Sequence, residues 1–236
     1  MKLLLWLALG FGSLPAFAQR PPNPRLRHEL DSIRRQDQRY RRMMARLREG
    51  RADSLAAALA VPASQVSAYA AAAMQRADSS NLRRVEEIIW RYGYPGQTLV
   101  GRPTNEVAWR VLQHSTKIPQ YLIWVKGAAE AGEIPFRLYA EMLDRKLMDD
   151  DQEQVYGTQW AGYTVLDHET GKQHTIGLIW PIRDPQRVDK RRREAGFATS
   201  LAESSDKLGI PYIPVTLDYA LWLQQEAVEL LEMQRK

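Results

Sequence analysis

His114 is the side chain whose ordinary pKa best suits proton transfer near neutral pH. It stands beside Gln113, on the apolar stripe of a predicted helix with Val107 and Val111. A general base there needs a carboxylate to orient it. Gln159 or Arg192 would hold an anionic or carbonyl group in such a site. Each residue also has a plain local explanation. His114 can be a half-buried, satisfied histidine. Arg145 can pair with Glu141 or Asp149, four residues to either side, and Asp189 with Arg192 and Arg193. Asp184 before Pro185 reads as a helix N-cap. Asp37, next to Gln38, interrupts an otherwise apolar seam, which is costly unless a cation such as Arg145 or Arg192 meets it. The sharper alternative is one polar site that joins His114, Gln159, Asp144 and Arg192, with Asp37 reaching it from the N-terminal helix.

Other chemistry is excluded or weakly supported. The chain has no cysteine, which removes disulfides, thiolate zinc sites and cysteine nucleophiles. Gly96 to Pro103 has the glycine spacing of a phosphate loop but lacks its lysine and the following Ser/Thr. The Asp149-Asp150-Asp151 run lacks the glycine and the twelfth-position glutamate of a calcium loop. No G-x-S-x-G elbow occurs. His168-Glu169 and His174 flank a predicted hairpin turn without the H-E-x-x-H spacing of a zinc helix, and neither metal nor cofactor is expected.

The elements that would position these residues are mostly helical. Leu26, Leu30, Ile33, Asp37, Tyr40, Met44 and Leu47 alternate at spacings of four and three, an a/d seam ending at Gly50. Ala52 to Ala77 contains twelve alanines in twenty-six residues and is split by Pro62, so it reads as a helical hairpin or loosely packed insertion. The compact part is expected to begin at the cap-rich cluster Asp78-Ser79-Ser80-Asn81. Four helices follow: one ending at Gly93, one after Pro103-Thr104, one from Pro119 to Gly132, and one from Pro135 into the Asp149 run. The period then changes. Val155 to Leu166 and Gln173 to Ile182 read as strands joined through Thr170-Gly171-Lys172. Further helices start at Asp184-Pro185, at a Ser200/Glu203 capping box, and near Thr216. The fold class is therefore mainly α with one small antiparallel β-hairpin, the helices packed around it.

The first residues have the form of a secretory signal: Lys2, an apolar run from Leu3 to Leu14, then Ala16-Phe17-Ala18. The run is too short to span a bilayer, for which about 20 residues are needed, so cleavage after Ala18 is expected, with no transmembrane segment left. Residues 20–51 carry eleven arginines against four acids, net +7, whereas the rest of the mature chain is slightly acidic. A nucleic-acid partner is not expected of such an exported chain. A solvated helix face accounts for the arginines, and contact with anionic envelope polymers or lipid headgroups is the other reading.

Tyr156-Gly157-Thr158-Gln159, Pro181-Ile182-Arg183-Asp184-Pro185 and Val188-Asp189-Lys190-Arg191-Arg192 together resemble the bacterial domain of unknown function 6624. So do Gly93-Tyr94-Pro95-Gly96 with Val100-Gly101, Trp109 with Gln113-His114, Asp144-Arg145, and the Asp37-Gln38 pair. Lys190 stands where that family has an acid. The resemblance implies a fold and a residue set (Asp37, Gln38, Gln113, His114, Asp144, Arg145, Tyr156, Gln159, Asp184, Asp189, Arg192) and no reaction. The expected organisation is a signal peptide over 1–18, an arginine-rich helix with an alanine-rich insertion over 19–78, and a helical domain with a hairpin over 79–236. The expected function is a non-catalytic envelope binding or structural module for a small ligand, peptide or envelope polymer. The alternative is a metal-independent hydrolase or transferase with His114 as general base.

Overall fold

Asn23 accepts a hydrogen bond from the Leu26 amide at 3.0 Å and Pro24 opens the first turn, so the chain enters helix α1, Pro24–Arg48, with its orphan amides partly satisfied. The computed structural model describes residues 21–167 and 169–235. The signal-like segment and His168 lie outside them. After α1 come α2 (Ala52–Leu59), α3 (Val66–Tyr92), the single turn α4 (Gln97–Val100), α5 (Val107–Leu112), α6 (Ile118–Glu130) and α7 (Phe136–Asp149). The hairpin is β1 (Trp160–Leu166) and β2 (Gln173–Ile179), and α8 (Val188–Glu194), α9 (Leu201–Leu208) and α10 (Leu217–Met233) complete the order.

The main core lies between α1, α3, α5, α6 and α7. Leu26, Leu30 and Ile33 of α1 meet Val85 and Ile88 of α3, Leu112 of α5, Val125 of α6, and Leu138 and Met142 of α7. A second core forms where α10 crosses the hairpin: Ala161, Val165, Leu178 and Trp180 pack on Ala220 and Leu223. The strands are antiparallel, in a register that pairs Trp160 with Ile179 and Gly162 with Gly177. They are shorter than expected at one end, because residues 155–159 form a loop rather than the start of β1.

The expected break at residue 78 is absent. α3 runs through Asp78-Ser79-Ser80-Asn81 without a cap. Ser79 turns its hydroxyl back to the Gln75 carbonyl at 2.9 Å, the helix-interior use of a residue that elsewhere caps. Ala73, Ala77 and Asn81 are buried on the same face, so tertiary contact keeps the helix going. The alanine-rich segment is an arm. α2 and the start of α3 close on the C-terminal half of α1 through Met43, Leu55, Val66 and Ala70. No single described helix is long and apolar enough to cross a membrane.

Candidate functional site

The segment Gln154–Gln159, between α7 and β1, has almost no regular structure of its own, and buried side chains hold its main chain from several sides. Asp144, on the last turns of α7, is fully buried. Its carboxylate accepts from the amides of Val155 (2.7 Å), Tyr156 (3.1 Å) and Thr158 (3.1 Å), and from the Thr158 hydroxyl (3.0 Å). Burial nonetheless raises its pKa above the usual carboxylate value, with those donors opposing the rise.

Arg192, on α8, holds the same segment by a carbonyl. It is 3% exposed and donates to the carbonyls of Tyr156 at 2.9 Å and Thr199 at 3.1 Å, and to the Ser204 hydroxyl at 2.6 Å. Its guanidinium also lies over the Phe197 ring, 4.7 Å from the centroid. Gln154 is fully buried and clasps the segment to the hairpin: its side chain accepts from the Gln159 amide and donates to the Gln159 and Trp180 carbonyls. Arg191 donates to the carbonyls of Val155, Arg183 and Asp184. Gly157 has φ +68, and a Cβ there would sit 2.7 Å from the Leu201 side chain, so both backbone and packing require glycine.

This clamped segment forms one wall of a cleft of about 300 Å³. Gln113, Glu141, Thr158, Gln159, Thr199 and Ser204 supply its polar lining, and Arg192 and Phe197 its far side. The Gln159 amide donates to the Thr158 hydroxyl at 3.0 Å, continuing a chain to Asp144. Burial raises the Glu141 pKa, against the pull of Arg137. Both charged lining groups have protein partners, Arg192 in carbonyls and Glu141 in Arg137, and the rest of the polar lining is uncharged amides and hydroxyls.

A second polar node lies between α1 and α3. Asp37 is 3% exposed and accepts from Arg41 and from Gln38, and Arg41 bridges on to Asp78 at 3.1 Å. Arg41, Asp37, Arg145 and Arg110 all act electrostatically on His114. Desolvation, then the Arg41 cation, pushes the imidazole down to about 4. The ring itself is solvent-accessible and water screens part of this effect, but either way it is neutral at pH 7.

The structure thus divides the expected residue set. Gln113, Gln159 and Arg192 meet in the cleft, with Asp144 and the Tyr156 main chain behind its wall. Asp37, Gln38 and the electrostatic environment of His114 and Arg145 belong to the other node. His114 does not line the cleft and is not on an inner helical stripe, because α5 ends at Leu112 in a tight turn where the His114 amide bonds the Val111 carbonyl. Three local pairings differ from expectation. Glu141 pairs with Arg137, and Asp149 feels Arg145 without an ion-pair contact. Asp189 accepts from the Leu201 amide at 2.7 Å, fastening α9 to α8 rather than pairing along its own helix. Asp184 has left-handed backbone, φ 47, and its carboxylate accepts from Arg187 instead of capping. Asp37 finds its cation in Arg41, one turn along the same helix.

Gln154, Arg191, Glu141, Thr199, Ser204 and Arg41 were not in the expected set. Arg191 carries a usable signal as the neighbour of Arg192 in the α8 motif, and Arg41 as the i+4 partner of a seam carboxylate. Gln154 carries none, since its partners are main-chain groups. Among the described residues, no three His, Asp or Glu side chains cluster in a way that holds a metal ion. The hairpin pair of His168 and His174 involves a residue outside the described ones.

A family model described as a family of unknown function, DUF6624, matches residues 26–208. No curated protein and no solved structure matches the chain. The chain belongs to this family.

Proposed function

We propose that this DUF6624 protein is exported and acts as a non-catalytic binding module of the cell envelope. Its ligand is a neutral segment rich in hydroxyl and amide groups, held in the cleft beside residues 157–159. One observation carries this reading. The cleft is lined mostly by uncharged amides and hydroxyls, from Gln113, Thr158, Gln159, Thr199 and Ser204, while its two charged lining groups already have partners: Arg192 in the protein's own carbonyls and Glu141 in Arg137. A site whose charged groups already have protein partners favours hydrogen-bonded neutral ligands over anions. Phe197 adds an apolar ring to the lining, with one face covered by Arg192. Catalysis by His114 gains no support from this geometry, because the histidine is not among the lining residues.

Export rests on the Lys2, Leu3 to Leu14 and Ala16-Phe17-Ala18 series. Intact mass of the protein recovered from its host tests it: the expected first residue is Gln19, and retention of residues 1–18 overturns export. Calorimetric titration with soluble N-acetylglucosamine oligomers, neutral chains that combine sugar hydroxyls and amides, tests the cleft. Saturable binding is expected, weakened roughly five- to tenfold in Gln113→Ala, about one hydrogen bond's worth. Absence of binding, or binding that Gln113→Ala leaves unchanged, overturns this assignment.

A further inference from the structure

α1 presents a second, unrelated surface. Arg25, Arg35, Arg39, Arg42 and Arg46 follow one another along α1 at intervals of three, four or, once, ten residues, the long interval containing His28 and Ser32 at the same spacing. All five arginines are exposed, on the side of α1 opposite the buried Leu26, Leu30, Ile33 and Asp37 stripe. At 1.5 Å per residue the stripe extends about 30 Å.

The acids of the same segment are all engaged elsewhere. Glu29 holds Arg84, Asp31 holds Arg34 and the Thr104 hydroxyl, Asp37 holds Arg41, and Glu49 holds Arg51. Among the described residues the stripe arginines have no carboxylate partner, and Arg39 only lies over the Tyr40 ring. Lys126 with Glu130 and Lys190 with Glu194 show the alternative, a cation held by a carboxylate one turn along its own helix. A row of exposed guanidinium groups without carboxylate partners is a surface prepared for phosphate.

The neighbouring arm identifies which phosphate. Residues 54–75 contain no charged side chain over 22 positions, and most of their alanines and serines, with Tyr69, are exposed. Ala52–Leu59 and Ala63–Tyr92, bent by 97° at their junction, together reach the apolar composition of a broken membrane span. A soluble polyanion would be held by a groove or by stacking aromatics, and the stripe offers neither. A bilayer surface offers a plane of phosphates to the arginines and an interfacial layer to an uncharged arm.

We infer that the α1–α2–α3 arm docks this protein peripherally on an anionic phospholipid surface, with the arginine stripe of α1 contacting lipid phosphates. This is independent of the cleft and of its ligand.

Vesicle flotation tests it with the purified protein. Binding is expected to phosphatidylcholine vesicles containing about a third phosphatidylglycerol, with little binding to phosphatidylcholine alone and release at high salt. Replacing Arg35, Arg39, Arg42 and Arg46 together by Gln should lower the partition coefficient on the order of 1,000-fold. The corresponding four Lys substitutions should keep most of it, and circular dichroism should show an unchanged fold for both. Equal binding to neutral vesicles, or a Gln variant that binds like its parent, overturns the proposal. So does a parent that binds soluble polyphosphate and no vesicles, since that outcome assigns the stripe to a polyanion instead.

Discussion

Two carboxylates in this protein are almost wholly removed from water, and they are used in different ways. Asp144 has main-chain amides and one hydroxyl as partners, and so gives a fixed shape to a segment without secondary structure. Asp37 has Arg41 and Gln38, all three on a helix that its apolar seam and cap already specify, and through Arg41 it fastens α1 to α3. In the first case the charge replaces a hydrogen-bond ladder. In the second it joins two ladders that already exist. Removing the first strands buried donors, whereas removing the second leaves Arg41 a remaining partner in Asp78.

The largest expected effect follows from this asymmetry. Asp144→Ala leaves the Val155, Tyr156 and Thr158 amides without their acceptor, and should cost about 3–5 kcal/mol in urea unfolding. A loss below about 1 kcal/mol would mean that the segment finds other partners and that the two carboxylates are equivalent. Asp37→Ala should cost less, about 1–3 kcal/mol, and adding Arg41→Ala should cost far less than the sum of the two single changes, because the residues form one network. Full additivity would dissolve the α1–α3 node as a unit.

The smallest effect separates the two regions most cleanly. The His114 pKa is lowered from its ordinary 6.5 to about 4, and among its neighbours Asp37 opposes that drop. A base with a depressed folded pKa leaves more protons on the unfolded chain between those values. Its contribution to stability is therefore complete above about pH 6.5 and is lost as pH falls towards 4. His114→Gln should flatten the decline in stability over that window. In an NMR titration of the imidazole, Asp37→Asn should move the His114 pKa further down, while Asp144→Asn should leave it in place. A shift on changing Asp144 would mean that the node and the clamped segment are electrostatically one site.

The sequence patterns that survive in the structure are those made by side chains meeting side chains. The alternation of three and four along α1 marks its buried face, the Ser200/Glu203 box caps α9, and the period-two stretch is the hairpin. Side chains that serve the main chain leave no such trace. Asp144, Gln154, Asp189 and Arg192 find peptide amides and carbonyls, which every residue carries, whereas spacing along the chain suggests an ion pair between Asp189 and Arg192. The Asp78 to Asn81 cluster misled for a related reason: serine and asparagine favour helix starts, but burial of Ala77 and Asn81 against neighbouring helices outweighs a cap preference of about 1 kcal/mol. The stripe of Val107 and Val111 does not reach His114, because the helix stops at Leu112.

The unbroken course of α3 from Val66 to Tyr92 gives the molecule a mechanical property. One end of that rod is packed among Val85, Ile88 and Ile89, and the other carries the arm. Deleting a single alanine between them, at Ala71 for example, would swing everything beyond it through about 100° and draw it in by about 1.5 Å. The alanine tract is permissive in composition and strict in length. It works as a keyed shaft whose phase fixes the heading of the arm.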